Sequence, residues 1–123
     1  MKLSRDFTFD AAHHLGHYPQ GHANARVHGH SFRARITVEG QPDAHGQIVD
    51  FETIDAHIAA LRATLDHNLL NDIDGLESPT LENICLWLWT QLEAKLPQIS
   101  AVEVFRDSLG QSCLYQGSHH GRS

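Results

Sequence analysis

Cysteine is scarce in this chain: Cys85 and Cys113 are the only two, too few for the disulfide framework that staples small secreted domains. Cys85 falls inside an apolar helical pattern, where a thiol serves as a small buried hydrophobe, and neither cysteine marks a redox site. No apolar run approaches bilayer-spanning length, and the opening "MKLSRDFTFD" has no signal-like stretch, so a cytoplasmic location without a membrane partner is expected. Positive charge is also sparse, with 9 Lys and Arg against 15 Asp and Glu and a formal net charge of -6. A nucleic-acid backbone or an anionic membrane needs clustered cations, so the expected partner is a small molecule. Repeats and low-complexity runs are missing too. At 123 residues the chain suits one domain, 1–117, followed by a mobile C-terminal tail, 118–123, whose His119 and His120 offer at most loose metal chelation.

Histidine, by contrast, is plentiful, with eleven in the chain. Between Leu3 and His13 the odd positions include Phe7, Phe9 and Ala11, while Asp6, Thr8 and Asp10 take the other parity, a period of two that predicts a half-buried strand. From His28 to Val38 the even positions read His28, His30, Phe32, Ala34, Ile36 and Val38, a second strand. Turn residues follow in "EGQPDAHGQ". Phe51, Ile54, Ile58, Leu61 and Leu65 then fall at three- and four-residue steps behind a capping Asp50, predicting an amphipathic helix. A second helix is predicted over Leu81, Ile84, Leu88, Leu92 and Leu96, entered through Ser78 and Pro79 and stopped at Pro97, with Trp87 and Trp89 as packing residues. Val102 and Val104, then Leu114 and Tyr115, give two short strands about a turn at Gly110. The order ββααββ predicts an α+β domain, a four-stranded antiparallel sheet with both helices on one face. Its open edges predict assembly into an oligomer.

Residues two apart on a strand project to one side, so His28 and His30 can converge on a point that a neighbouring strand also reaches. His13 is the third member if the first two strands pair antiparallel, because the end of one then lies beside the start of the other. A lone histidine is more often an ordinary ring satisfied by hydrogen bonds. Three in phase at one end of two strands form a ligand set for Zn²⁺ that leaves a fourth position open, as in catalytic sites. His14, His17, His22, His45 and His57 show no such phasing and are assigned to surface or loop roles. Asp66 and His67 close the first helix; a carboxylate beside an imidazole can orient the ring and raise its basicity, although alone the pair reads as a helix end.

Taken together, "FTFDAAHHL", "HGHSF", "IVDFETI", "LDHNLLND" and "SPTLEN" stand in the order and spacing of the 6-pyruvoyltetrahydropterin synthase family, and the chain resembles most its bacterial 6-carboxytetrahydropterin synthase branch, which acts in the queuosine and deazapurine pathway. The resemblance runs from about Asp6 to Gly117. It implies the tunnelling fold (T-fold), in which such domains join through their strands into barrels, typically hexamers with sites between subunits. It implies zinc on His13, His28 and His30, a pterin substrate, and a proton-transfer role for Asp66 and His67.

Two positions depart from the family pattern. The cysteine that usually lies four residues before the H-G-H motif, as a base on the substrate side chain, is Asn24 here, and an amide cannot accept a proton at neutral pH. His22 on the same loop could substitute, or His67 could carry both transfers. The Glu that usually holds the amino-pyrimidine edge is Arg106, with Asp107 beside it. Arg106 offers only donors, whereas Asp107 could accept two N–H bonds if a bulge re-aims it. The expected activity is therefore zinc-dependent lyase chemistry on the side chain of 7,8-dihydroneopterin triphosphate, giving 6-carboxytetrahydropterin. Side-chain cleavage for folate synthesis, or a catalytically silent zinc-containing pterin- or purine-binding protein, are the alternatives. A cupin-type H-x-H site does not suit the two helices.

Overall fold

The computed structural model describes residues 1–117; the tail assigned to 118–123, with His119 and His120, lies outside them. Four strands, β1 (Lys2–His13), β2 (His28–Glu39), β3 (Ile99–Arg106) and β4 (Gln111–Gln116), form one antiparallel sheet in the order β1-β2-β3-β4. Helices α1 (Phe51–Leu65) and α2 (Leu81–Leu92) connect β2 to β3. The period of two in the first strands has the expected consequence. Phe7, Phe9 and Ala11 of β1 and Phe32, Ala34, Ile36 and Val38 of β2 are all buried, joined by Val102 and Val104 of β3.

Ile54, Ile58, Leu61 and Leu65 of α1 and Ile84, Cys85, Leu88 and Leu92 of α2 close over this face in one continuous core. Phe9 and Phe32 stack at 5.0 Å between ring centroids, and burying each such side chain contributes about 1.5–3 kcal/mol. Both indoles are buried with their N–H groups satisfied, Trp87 donating to the Asp74 carbonyl at 3.1 Å and Trp89 to Glu93 Oε2 at 2.7 Å. Cys85 is 1% exposed; burial pushes its thiol up to about 12, so it remains a protonated core residue. No described helix is long and apolar enough to cross a membrane.

Helix starts follow their caps. Asp50 Oδ1 accepts the Thr53 N–H at 2.8 Å, and Thr80 Oγ1 accepts that of Asn83 at 3.1 Å, so Thr80, rather than Ser78 or Pro79, is the cap of α2. Two boundaries differ from the periodicity. Phe51, counted in the apolar stripe, is 44% exposed, while Ile48 and Val49 of the preceding loop pack against the core. The regular part of α2 ends at Leu92, not Leu96: a residue before proline is turned away from helical geometry, and Leu96 keeps only a last bond to the Leu92 carbonyl before Pro97. Leu96 is still buried.

Leu88 is fully buried against the sheet. Leu88→Ala is expected to cost about 2–5 kcal/mol, read as a lower urea midpoint with an unchanged slope. Leu86→Ala, at a position 45% exposed on the same helix, is expected to stay within about 0.5 kcal/mol.

Candidate metal centre and catalytic pair

The register of β1 on β2 sets His13 opposite His28 and Ala11 opposite His30. All three imidazoles emerge on the core face at one end of the sheet, where Phe32 packs edge-on against His13 and His30 at 5.9 and 5.7 Å. His13 is 1% exposed, and its two companions are half-buried. Ring centroids lie 4.6 Å (His13–His28), 5.1 Å (His13–His30) and 4.8 Å (His28–His30) apart. One ligand atom from each falls within 4.8 Å of the others.

Hydrogen bonds from outside the cluster fix which nitrogen faces inward. His13 Nδ1 meets the Pro79 carbonyl at 2.9 Å, and His28 Nδ1 meets that of Arg26 at 2.7 Å. A carbonyl only accepts, so each bond places the ring proton on Nδ1 and leaves Nε2 with a free lone pair. Nε2 of His13 and of His30 are buried without a hydrogen-bond partner among the described residues, an arrangement that buried polar atoms rarely adopt unless something else completes them. Burial first, then His28, His30 and Arg106, pushes His13 down to about 4 against the pull of the Pro79 bond. Burial, Arg106 and His28 likewise lower His30. Both rings are neutral at pH 7, the state a metal requires. These residues fit a divalent ion.

Asp66 and His67 reach the same end of the sheet by another route. Asp66 is the C-cap of α1, and His67 follows in the left-handed region at φ 59. The chain then runs along the outer edge of β1: His67 N–H donates to the Asp10 carbonyl at 2.6 Å, Ala12 N–H to that of Asn68 at 3.0 Å, and Leu69 bridges Ala12 in parallel. Asp66 Oδ1 accepts the Asp10 N–H at 2.8 Å, and Oδ2 lies 2.8 Å from His67 Nδ1. The Asp10 amide, then His67 and Arg62, hold the Asp66 carboxyl below its usual range. An ionised Asp66 therefore holds a ring proton on His67 Nδ1, and 78% of the His67 side chain is exposed. A cavity of about 550 Å³ is shared by His67 and His30, with Asp10, Ser31 and Asn68 in its walls.

The other named residues divide. Asn24, in the short 3-10 turn Ala23–Ala25, lines a second cavity of about 610 Å³ with Arg26, His28 and His30. His22 caps that turn, its Nδ1 accepting the Asn24 N–H at 3.0 Å, and its ring stacks on Tyr18 at 4.4 Å. With Nδ1 accepting, a neutral His22 carries its proton on Nε2 and has no free lone pair for a substrate. Arg106 ends β3 on the core-facing parity, close enough to His13 and His30 for its charge to act on them. Asp107 lies on the other side of the sheet, where Arg33 holds both its oxygens, Nε to Oδ2 at 2.8 Å and Nη2 to Oδ1 at 3.0 Å. The turn Asp107–Leu109 thus leaves Asp107 with Arg33, away from the imidazoles. Sequence reasoning missed the carbonyls of Pro79 and Arg26 as orienting groups. The only sequence signal for the first was that Pro79 sits inside "SPTLEN".

A family model described as 6-pyruvoyl tetrahydropterin synthase matches residues 2–118. The chain is 42% identical over 109 residues to a 6-carboxy-5,6,7,8-tetrahydropterin synthase of Synechocystis, covering 83% of each chain. It is 33% identical over 90 residues to a dihydroneopterin monophosphate aldolase of Pyrococcus furiosus, covering 73% of each. In fold it is similar to the 6-pyruvoyl tetrahydropterin synthase of Caenorhabditis elegans, with a TM-score of 0.82 at 20% identity over 96% of both chains.

A histidine that titrates lower when folded than when unfolded binds fewer protons in the native state. The stability tied to neutral His13 is therefore complete above its ordinary 6.5 and is lost as pH falls toward about 4. Metal-free protein is expected to lose stability across that window in urea titrations at stepped pH, and His13→Gln to show a shallower loss. An equally steep loss in the variant would contradict the assignment.

Proposed function

Because the chain belongs to the 6-pyruvoyl tetrahydropterin synthase family and has the four-stranded, two-helix architecture of the tunnelling fold, we propose that it is a zinc-dependent 6-carboxytetrahydropterin synthase-like lyase. It would act on the side chain of 7,8-dihydroneopterin triphosphate, in the cytoplasm, in the route to queuosine and related deazapurines. The observation that carries this reading is the convergence of three imidazoles, with Nε2 of His13 and of His30 buried and unpartnered among the described residues, beside an exposed, carboxylate-oriented histidine.

Zinc on His13, His28 and His30 would act as a Lewis acid toward oxygens of the substrate side chain. Proton movement belongs to the chain's own groups. Asp66 orients His67 and stabilises its imidazolium, and Nε2 of His67 takes a proton from the side chain and returns it elsewhere. Since Asn24 cannot take that proton and the His22 lone pair is engaged, His67 serves both transfers. The unpaired outer edge of β4 and the open end of β1 suit strand pairing between copies, which supports a barrel-forming homo-oligomer, a hexamer by the resemblance, with sites completed at subunit boundaries.

Asn24 favours one second reading. Without a cysteine base the bond broken shifts along the side chain in this reading, as the likeness to a dihydroneopterin monophosphate aldolase suggests, so side-chain cleavage competes with formation of the carboxylate product.

Incubating zinc-loaded protein with 7,8-dihydroneopterin triphosphate and identifying products by mass spectrometry separates the readings. The expected product is 6-carboxytetrahydropterin; a 6-hydroxymethyl product would establish cleavage, and unchanged substrate with tight pterin binding would establish a binding protein. His67→Gln is expected to lower kcat by about 10²–10⁴-fold while zinc content is retained. His28→Ala is expected to abolish stoichiometric zinc by elemental analysis.

A further inference from the structure

Arg106 stands apart from the other described arginines. Arg5, Arg33, Arg35 and Arg62 each donate to a carboxylate or a carbonyl, and Arg26 is solvent-exposed. Arg106 is half-buried, yet its guanidinium has no hydrogen-bond partner among the described residues, and its Nε is fully enclosed. Carboxylates are not scarce nearby in sequence: Asp107, the next residue, is taken by Arg33 on the opposite face. Glu82 of α2 and Tyr18 act on Arg106 electrostatically without bonding to it. An enclosed N–H without an acceptor is costly and persists where something else completes it, and a half-buried guanidinium with no such partner keeps its outer N–H groups open to a ligand.

What surrounds the site narrows that something. The cavity beside His28 and His30 has Arg26 and Asn24 in its wall and no acidic side chain, although the chain as a whole carries a net charge of -6. Arg106, on the core-facing parity of β3, brings a second positive charge to bear on His13 and His30. A guanidinium has only donors, in a planar fork that fits two adjacent acceptor oxygens, so an amino-bearing ring edge would meet it donor to donor.

We propose that Arg106 is the specificity-determining residue of this site and selects a ligand bearing an oxyanion, a carboxylate or a phosphate, next to the three imidazoles. The inference deepens the pterin reading above and rests on it for the ring that carries the oxyanion.

The test is equilibrium binding to the zinc-loaded protein, followed by pterin fluorescence, for pterin-6-carboxylate, neopterin triphosphate and the uncharged 6-hydroxymethylpterin. Wild-type protein is expected to prefer at least one charged ligand over the uncharged one by about tenfold or more. Whether the carboxylate or the phosphate is preferred identifies the source of the oxyanion. Arg106→Met is expected to erase the preference while binding of 6-hydroxymethylpterin and zinc content stay within about twofold, and Arg106→Lys to retain part of it, since an ammonium keeps the charge but loses the fork. A preference that survives in Arg106→Met would overturn the assignment. If no pterin binds at all, the pterin reading fails by itself. Thermal protection by malonate or tripolyphosphate, seen in wild type and lost in Arg106→Met, would then still support the oxyanion site, and no difference between the two would end it.

Discussion

A slip of one residue in the pairing of β1 with β2 would send His28 and His30 to the opposite side of the sheet from His13, because strand side chains alternate. The register is held by what lies further along the same strands. Phe9 faces Phe32, Phe7 faces Ala34, and Arg5 faces Ile36; a one-residue slip of β2 would put Phe32 and Ile36 into water and Arg33 and Arg35 into the core while Phe9 stayed inside. The hydrophobic face thus does two jobs with one period, filling the interior and delivering three imidazoles to its end.

Burial at that end gives the cluster its chemistry. Phe32 beneath the rings and the near-complete enclosure of His13 disfavour protonation, while the Pro79 and Arg26 carbonyls choose the tautomer. Neither effect alone suffices: burial without the carbonyls would leave the inward nitrogen undetermined, and carbonyls without burial would leave the rings to titrate near neutrality. Asp66 performs the same tautomer choice for His67, but in the open, where the ring can meet a substrate.

The two faces of the sheet divide the charged residues. On the face away from the helices, Asp6 bonds Arg33 and Arg35, Asp107 bonds Arg33, and the Arg33 guanidinium lies 3.7 Å above the Phe105 ring. That network is closed on itself. On the helix-covered face Arg106 is left without a hydrogen-bond partner among the described residues, and the contrast between Arg106 and its neighbour Asp107 follows from strand alternation at the end of β3, before the turn that Gly110 completes at φ 65.

Much of this is legible in the sequence. Period two at Phe7, Phe9, Phe32 and Ile36, period three to four at Ile54, Ile58 and Leu61, and the Asp50 cap are local signals, and local signals survive folding because they report how a single element meets a core. The spacing of His28 and His30 was legible for the same reason. Phe51 and Leu96 misled because an apolar residue at an element's end obeys its neighbours, here the loop bearing Ile48 and Val49 and the turn forced by Pro97. Other features depend on contacts between residues distant in the chain: the 2.9 Å bond from His13 to Pro79, the docking of residues 67–69 along β1, and the engagement of Asp107 by Arg33. Periodicity along the chain settles which residues share a face; what each face meets is settled only on folding, since a side chain's partners across the fold are set by packing rather than by period.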